Sequence, residues 1–583
     1  MSGKEAGGAK RRKASHKTEN RRAIRDEREE VLLALLSHEQ NQTFSNVLIK
    51  RTLDRCEGMS SSERAFIKRL LEGVIERKME LDARIEELTG RSVNRLHPAI
   101  RQILRMGIYQ ICYMDSVPDS AACNEAVRLA KKHGPARLSG FVNGVLRNAV
   151  RREEKARGEH GSSQPMEGRK KADNGYSEPL DGNAKADSGD SELMEEENLT
   201  GRTLTGQDRE NSPAVNDTDW LKDASRKYSS PEWLVQMWEQ ELGREEAERL
   251  LDALLEIFPV SARVRCRDSK TESEALLNSL RQAGVTVEKG RWHPDNIRLR
   301  KTSNLRKLPG FESGLWTVQD ESSMLAVEAA GLKGKEIVFD VCAAPGGKSF
   351  LAADLLAERS GKTADSANTE TGSAESGSVE TGSVETGSVE TESAEAGSAD
   401  HRFVKTGSEG NTETQKPGVV CSFDLTRKKT EKIREGAGRL GIKNMVIGER
   451  DARVFFKEDE GRADVVFCDL PCSGLGVIGK KRDIKYRASL EGIASLQKLQ
   501  REILRTAVRY LKSGGVLIYS TCTVSRMENE DNAAWIESEL GLVPDNLEPY
   551  LPCPIPGIRG HMLQLLPHVH GTDGFFVARF RKK

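Results

Sequence analysis

From about residue 330 onward, short apolar runs alternate with amphipathic helical segments. The predicted strands are Ile337–Val341, Val419–Phe423, Met445–Ile447, Val465–Cys468 and Gly515–Tyr519. The predicted helices are Phe350–Leu356, Lys428–Leu440 and Leu496–Leu511. Strands that alternate with helices form parallel sheets, because each helix crosses over before the next parallel strand begins. The pattern therefore predicts a doubly wound α/β domain over residues 330–583, with Phe575–Phe580 as an antiparallel edge strand.

Two acidic, low-complexity segments interrupt the chain. Residues 153–219 hold 17 acidic and 8 basic side chains, and residues 358–416 hold 12 acidic and 5 basic side chains. Segments of this Gly-, Ser- and Glu-rich composition cannot bury enough apolar surface to offset the entropy of ordering. We therefore predict a disordered linker at 153–219 and a disordered insertion within the α/β domain at 358–416.

The rest of the chain is predicted to contain three parts. Residues 1–22 are polar and basic and are predicted to form a disordered tail. Residues 23–150 carry apolar side chains at helical spacing, such as Ile100 and Leu104, which predicts a bundle of five to seven helices. Residues 220–329 mix helical and strand patterns, and we predict a small α/β adaptor there.

The net charge of zero conceals a basic folded portion. Without the two acidic segments, the remaining 457 residues carry a net charge of +16. This excess fits a nucleic-acid partner, although basic side chains scattered over a solvated surface would give the same sum. No run approaches the roughly 18 apolar residues of a membrane span, and the N-terminus lacks an apolar signal core. We expect a cytoplasmic protein that does not enter the membrane.

The ten cysteines show no close CxxC pairing. They are interpreted as reduced thiols, with no metal site expected. Buried structural thiols are predicted at Cys56, Cys112, Cys123 and Cys266. Cys472 and Cys522 differ, because each follows a predicted strand at the same sheet edge, where a thiolate could be exposed and stabilised.

A glycine turn follows the first predicted strand, in the run Ala343–Lys348. Gly346 and Gly347 let the backbone approach a ligand closely, although such a turn can also be purely structural. The absence of GxGxxG and of a P-loop pattern argues against a dinucleotide and against a P-loop. Asp424 lies 77 residues beyond Gly347, of which 59 are insertion residues, so that 18 remain. Nucleotide-binding folds place a carboxylate about 20 residues beyond this turn.

Asp424 and Asp451 follow neighbouring predicted strands. Asp424 could accept hydrogen bonds from ribose hydroxyls, and Asp451 could reach an adenine amine. Either residue alone would more often be a helix cap or a surface acid. Together at strand ends they predict a nucleoside pocket at the carboxyl edge of the sheet.

Two cysteines beside a nucleoside pocket indicate methyl transfer through a covalent enzyme–base adduct. Cytosine C5 is a poor nucleophile, but addition of a thiolate at C6 makes C5 enamine-like and able to attack a sulfonium methyl. Asp469 is the candidate acid that hydrogen-bonds N3 and stabilises the adduct. A base must later remove the C5 proton so that the thiol can leave. The residues alone do not rank Cys472 and Cys522.

Three motifs resemble those of the RNA (cytosine-5) methyltransferase family. They are Asp340–Lys348, Asp469–Gly474 and Tyr519–Glu530, in the order and at the strand ends that the family shows. Residues Gly474–Tyr486 narrow the resemblance to the bacterial RsmB (Sun/Fmu) type, whose members act on 16S rRNA. Glu63–Ile67 and Phe141–Asn148 resemble the RNA-binding NusB-like domain of that type.

The resemblance, over residues 23–150 and 220–583 without the insertion, implies roles for individual residues. It implies that Cys522 is the nucleophile, that Cys472 assists release of the adduct, and that Asp469 faces the base. Arg482 departs from the pattern, because similar proteins tend to have Pro before Asp-Ile-Lys. The implied S-adenosylmethionine site consists of Cys342, Ala343, Ala344, Pro345, Gly346, Gly347, Lys348, Asp424, Asp451 and Asp469.

We therefore expect an all-α NusB-like bundle followed by a Rossmann-like methyltransferase domain. The expected activity is S-adenosylmethionine-dependent methylation of cytosine C5 in 16S rRNA by a monomer. One alternative is the same chemistry on tRNA or at another rRNA site. A second alternative is a non-catalytic RNA-binding factor of the antitermination type, which the helical region alone would suggest.

Overall fold

The computed structural model describes residues 26–41, 43–159, 217–256, 258–265, 270–302, 304–368 and 417–583. The chain forms two compact units. The helical unit comprises the described residues up to 256 together with 478–487, and the second, here called the sheet unit, comprises the described residues from 258 to 477 together with 488–583. The predicted tail 1–22, Cys266, and most of the predicted linker and insertion lie outside the described residues.

The described part of the helical unit contains ten α-helices. They are α1 (Glu27–Asn41), α2 (Ser45–Arg55), α3 (Ser61–Glu76), α4 (Lys78–Thr89), α5 (Pro98–Tyr113), α6 (Asp119–His133), α7 (Ser139–Glu159), α8 (Asp217–Lys227), α9 (Glu232–Leu242) and α10 (Arg244–Ala253). The predicted start of α5 at Pro98 is confirmed, and His97 caps it by accepting from the Ala99 amide. Because every residue from Ala99 to Ile111 is buried, α5 is the central helix of the bundle.

Residues 478–487, here called the strap, pack within the helical unit although they follow the Cys472 loop in the chain. Asp483 caps α2, because its carboxylate accepts from the amide and the hydroxyl of Ser45 at 3.1 and 2.5 Å. The Tyr486 hydroxyl donates to the carbonyl of Glu76, the last residue of α3, at 2.6 Å. The prediction placed these residues in the domain at 330–583, and the structure groups them with the helical unit instead.

Two further boundaries differ from the predictions. Helix α7 extends to Glu159 and so covers the first residues of the predicted linker 153–219. The predicted adaptor 220–329 is divided, because α8 to α10 belong to the helical unit. In that unit the Ser229 hydroxyl, just beyond α8, accepts from the Met79 amide of α4 at 2.9 Å.

The first elements of the sheet unit are β1 (Val260–Val264), α11 (Lys270–Gln282), β2 (Thr286–Lys289), β3 (Asn296–Arg300), β4 (Trp316–Val318) and α12 (Glu321–Glu328). The four strands form a small antiparallel sheet in the order β2-β3-β1-β4. Apolar side chains of β1, β3, β4 and α11 form its own core, with Trp316 fully buried.

The remaining helices and strands that the structure describes in the sheet unit are β5 (Ile337–Asp340), α13 (Gly347–Asn368), β6 (Val419–Asp424), α14 (Arg427–Arg439), β7 (Met445–Glu449), β8 (Ala463–Asp469), α15 (Leu490–Tyr510), β9 (Leu511–Thr521), α16 (Glu530–Leu540), β10 (Val543–Pro544), β11 (Ile558–Arg559), β12 (Met562–Leu565), α17 (Pro567–His570) and β13 (Phe575–Arg581). Their nine strands form one sheet, in which β9, β8, β5, β6 and β7 are parallel neighbours in that order and β7 lies at one edge. Separate apolar cores cover its two faces, which confirms the doubly wound arrangement.

The prediction that Phe575–Phe580 is an edge strand is wrong. Strand β13 is antiparallel, as predicted, but it lies between β9 and β12 inside the sheet. The β11–β12 hairpin continues the sheet beyond it, and β12 has only four residues, too few for a clear periodic pattern. Helix α13 also extends to Asn368, into the segment predicted as an insertion from 358 onward.

None of the helices that the structure describes is long and apolar enough to cross a lipid bilayer.

Candidate active site

The predicted site residues lie at one edge of the large sheet. Strands β5, β6, β8 and β9 are parallel, so their carboxyl ends meet at the same edge. The glycine turn follows β5, Asp424 ends β6, Asp469 ends β8, and Cys522 follows β9. The sheet therefore brings together side chains that are far apart in the sequence.

The turn from β5 into α13 has the close backbone approach that its glycines predict. Gly346 has φ +113°, and a Cβ there would lie 2.3 Å from the Phe350 ring. The amide of Ala343 donates to the Phe423 carbonyl at 2.9 Å. The amide of Ala344 donates to the Asp424 carboxylate at 3.0 Å. The turn is thus fixed to the end of β6, while Pro345 at its tip is exposed.

Asp424 joins the turn to a surface that fits a nucleoside. Its carboxylate is buried and accepts from the Leu425 amide at 2.7 Å, and Lys429 pairs with it at 2.8 Å. The Leu425 side chain beside it is 54 % exposed. A carboxylate next to an exposed apolar side chain and a glycine turn can satisfy both a ribose and a base, so these residues fit the adenosyl part of S-adenosylmethionine.

Asp451 lies two residues beyond β7, at the end of the strand next to β6. Its carboxylate is engaged by Arg453, with the closest contact at 2.7 Å. These hydrogen bonds lower the pKa of Asp451. The predicted reach toward an adenine amine would require this partly exposed carboxylate to share its acceptors with Arg453.

Lys348 and Asp469, both predicted site residues, are in direct contact. The Lys348 ammonium lies 2.7 Å from Asp469 Oδ2, and the Ser520 hydroxyl donates to Asp469 Oδ1 at 2.9 Å. Lys348 is buried over the ring of Phe575, whereas the Asp469 side chain is 31 % exposed. The carboxylate is therefore held in orientation from two sides and remains accessible to a ligand.

Two other groups of the first motif are shielded from solvent, Asp340 fully and Cys342 in part. Burial raises the pKa of Asp340 to about 7, and its carboxylate accepts from the Ser349 hydroxyl at 2.6 Å. Burial also raises the pKa of the Cys342 thiol, together with the negative charges of Asp340, Asp424 and Asp469. The Cys342 side chain is thus a poor nucleophile, which leaves backbone contact as the part it can contribute to the predicted cofactor site.

Cys472 and Cys522 face each other as thiols. Their Sγ atoms are 3.1 Å apart, and the Cys522 amide donates to Cys472 Sγ at 3.3 Å. The hydrogen bond with Cys522, followed by burial, raises the pKa of Cys472 well above its ordinary value. Either sulfur can be the donor in this contact. Because its raised pKa favours the thiol form, Cys472 can stabilise negative charge on the sulfur of Cys522.

Sequence reasoning missed the polar residues that hold the two cysteine loops. The Ser473 hydroxyl lies 2.7 Å from Thr523 Oγ1, and Glu528 accepts from the Ser473 amide at 3.0 Å. Glu528 is fully buried, and burial raises its pKa. Its position six residues after Cys522, inside the third motif, was the available signal, but nothing in the local pattern identifies its partners.

The other cysteines resemble structural residues. Cys56 and Cys123 are buried as predicted, and burial raises the pKa of both thiols. Cys112 is partly buried, and burial raises its pKa to about 12. Over the described ranges, no group of three or more His, Cys, Asp or Glu side chains could hold a metal ion.

Family models match three parts of the chain. The NusB family model matches residues 25–151, a ferredoxin-like domain model of the RsmF/B-like methyltransferases matches 230–306, and the 16S rRNA methyltransferase RsmB/F model matches 411–581. The α/β domain is thus a methyltransferase domain, and the bundle is a NusB-like domain.

Relatives match the chain along almost its whole length. It is 30% identical over 564 residues to a probable ribosomal RNA small subunit methyltransferase B of Bacillus subtilis, covering 95% of this chain and 98% of that protein. A protein of the same name from Synechocystis sp. is 28% identical over 562 residues, covering 95% and 99%. The crystal structure of PH0851 shares the fold, with a TM-score of 0.61 at 20% identity, over 95% of this chain and 98% of that one. The order of domains and the full-length match together place this chain in the ribosomal RNA small subunit methyltransferase B family.

Proposed function

We propose that this protein transfers a methyl group from S-adenosylmethionine to C5 of a cytosine in 16S rRNA, through a covalent bond between Cys522 and cytosine C6. The observation that carries the proposal is the pair of thiols 3.1 Å apart at the carboxyl ends of adjacent parallel strands. Methylation of an exocyclic amine or a ribose hydroxyl needs no thiol, whereas methylation at C5 needs a nucleophile that activates the ring.

Cys522 supplies that nucleophile. Its thiolate adds to C6, which places electron density on C5, and C5 forms a bond to the methyl group. When bound, S-adenosylmethionine would supply an electrophilic methyl on a sulfonium sulfur, whose bond to the methyl group breaks as the C5–methyl bond forms and which leaves as the thioether of S-adenosylhomocysteine. The residues that would hold it are the turn Ala343–Lys348 and Asp424, because the turn backbone and the Asp424 carboxylate lie in contact at the ends of β5 and β6.

Asp469 is assigned to the base. Its partly exposed carboxyl group can hydrogen-bond the N3 edge of a bound cytosine, where negative charge develops after thiolate addition. Lys348 and Ser520 fix the side chain from behind. This arrangement orients the ring so that C6 faces the two cysteines at the neighbouring strand ends.

Cys472 is assigned to release. The C5 proton passes to a base, the C6–S bond breaks, and Cys522 leaves as a thiolate. A Cys472 thiol at 3.1 Å can donate a hydrogen bond to the departing sulfur, which agrees with the raised pKa of Cys472. The family resemblance supports the ranking of the two cysteines.

The RNA partner is inferred from the NusB-like domain and the charge of the chain. A net charge of +16 remains on the 457 residues outside the two acidic segments. The name of the Bacillus subtilis relative supports small-subunit rRNA as the substrate. RNA affinity should fall with rising salt, because phosphate contacts release counterions.

Methylation of purified RNA with labelled S-adenosylmethionine tests the proposal. We expect label in 16S rRNA, located at C5 of cytosine by sequencing of 5-methylcytosine, and no label with Cys522→Ala. Transfer RNA is the control substrate. Label at another atom would overturn the chemistry, and label in tRNA with none in 16S rRNA would overturn the substrate assignment.

A further inference from the structure

Two buried polar side chains hold the backbone on both sides of Cys472. After it, Ser473 donates its amide to Glu528 Oε1 at 3.0 Å and its hydroxyl to Oε2 at 2.5 Å. Before it, the Pro471 carbonyl accepts from Gln500 Nε2 at 2.9 Å. Gln500 Nε2 also donates to Glu528 Oε1 at 3.0 Å, so the two side chains are joined. Glu528 and Gln500 are called the bracket below.

The bracket is itself fixed in orientation. Asn532 Nδ2 donates to Gln500 Oε1 at 2.7 Å, which directs the Gln500 amide nitrogen toward Glu528. The Tyr519 hydroxyl donates to the Glu528 carbonyl. Glu528, Gln500 and Asn532 are all fully buried. Buried polar groups whose partners are all present make a site rigid, so the bracket can define one position for the Cys472 loop.

The same network sets the Cys472 loop against the Cys522 loop. The Gly476 amide donates to the Cys522 carbonyl at 3.2 Å. The Ser473 hydroxyl, held by Glu528, also lies 2.7 Å from the Thr523 hydroxyl. Contacts between the residues of the two loops thus fix the separation of 3.1 Å between the two sulfurs.

We propose that Glu528, oriented by Gln500, is a positioning residue for Cys472 and that it acts on release of the methylated base rather than on attack by Cys522. The assignment of the step rests on the proposed function. Its physical basis is that both oxygens of the Glu528 carboxylate accept from Ser473, next to Cys472, while Gln500 holds the Pro471 carbonyl on the other side of that cysteine. On the Cys522 side the carboxylate contacts Thr523, but Cys522 itself follows directly from the β9 backbone. A displacement of one reacting group by about 1 Å can cost about 100-fold in rate.

A matched control distinguishes a positioning role of Glu528 from a general effect of losing a buried carboxylate. Asp459 is another fully buried carboxylate of the sheet unit, ion-paired with Arg450 at 2.5 Å and Arg462 at 2.8 Å. Asp459→Ala should lower stability without changing the Cys472 loop. Glu528→Gln is the conservative variant, because its amide oxygen can still accept from the Ser473 amide.

The first experiment needs no RNA and so does not depend on the proposed function. The full chain is treated with iodoacetamide, and alkylation of each cysteine is followed by mass spectrometry, with Cys553 as the internal reference. Glu528→Ala should release the Cys472 loop and raise the alkylation rate of Cys472 about tenfold, the scale of a local opening that becomes about 1.4 kcal/mol easier. Glu528→Gln and Asp459→Ala should stay near the wild-type rate. Unchanged alkylation of Cys472 in Glu528→Ala would overturn the positioning role.

The second experiment tests the step. In single turnovers with 16S rRNA, Glu528→Ala should form the covalent adduct within about threefold of the wild-type rate and release it about 10- to 100-fold more slowly. Adding Cys472→Ala to Glu528→Ala should slow release little further, because each change takes the Cys472 thiol away from the departing sulfur. Equal losses of formation and release in Glu528→Ala would overturn the assignment to release. If neither Glu528→Ala nor Cys472→Ala formed an adduct, the proposed roles of the two cysteines would be refuted. The alkylation result would still decide whether Glu528 positions Cys472.

Discussion

Arg482 of the strap and Glu76 at the end of α3 form a buried ion pair, although 406 residues separate them in the chain. Their side chains are 10% and 11% exposed. Arg482 is also the position that departs from the motif pattern of similar proteins. The departure coincides with a contact inside the helical unit, so a chain segment that begins six residues after Cys472 contributes to the packing of that unit.

Removing one partner of this pair should destabilise the helical unit. Arg482→Ala or Glu76→Ala should each lower the free energy of unfolding by about 3–5 kcal/mol, because each leaves a buried charge without its partner. The double variant should cost less than the sum of the two. Urea denaturation of the full chain measures this, with Arg427→Ala as the control, since Arg427 pairs with Glu431 at the surface. Additive effects would show that the two side chains do not interact.

Lys485 of the strap should make stability depend on pH. It is 1% exposed, and burial lowers its pKa to about 7. The positive charges of Arg482 and Arg77 also lower this pKa, whereas the negative charges of Glu76 and Glu80 raise it without offsetting the burial. Between pH 7 and about 10.4 the unfolded chain binds more protons at this lysine than the folded chain does, so stability rises with pH across that window.

Lys485→Met should abolish this dependence. The variant should gain most over wild type below about pH 7, where folding buries a charged lysine, and the gain should shrink toward about pH 10. Lys50→Met, at an exposed lysine of α2, is the control. Urea midpoints at several pH values provide the measurement. A difference from wild type that does not vary with pH would mean that Lys485 titrates normally.

Substitution of either cysteine by alanine should stop the reaction at a different step. Cys522→Ala removes the nucleophile, so neither adduct nor methylated RNA should form. Cys472→Ala should allow attack and methyl transfer, and a methylated RNA–protein adduct should accumulate as a denaturation-resistant gel shift. The double variant should show no adduct. An adduct in Cys522→Ala with none in Cys472→Ala would reverse the two roles.

Asp424 should matter more for the cofactor than for RNA. Asp424→Ala removes a buried carboxylate that also holds the Ala344 amide, and should weaken S-adenosylmethionine binding by about 1.5–3 kcal/mol. Asp451→Ala should cost less, because its carboxylate is already engaged by Arg453 at the surface. Calorimetry on the full chain measures both. Unchanged affinity in Asp424→Ala would remove this residue from the site.

The sequence determined the order of elements and the edge at which the chemistry lies. Alternating strand and helix patterns specify a parallel sheet, because a parallel strand needs a crossover connection before it. Parallel strands end at one edge, so Cys472 and Cys522 could be placed together although 50 residues separate them. The same rule placed Asp424 and the glycine turn side by side, and their hydrogen bond confirms it.

Only the tertiary structure decided which distant side chains meet. Local periodicity reports whether a residue faces a core, and it carries no information about which other segment supplies that core. For this reason the strap was assigned to the wrong unit, and β13 was placed at the edge of the sheet. The bracket around Cys472 likewise joins a helix, a strand end and a loop, and its hydrogen bonds exist only once these three elements have packed together.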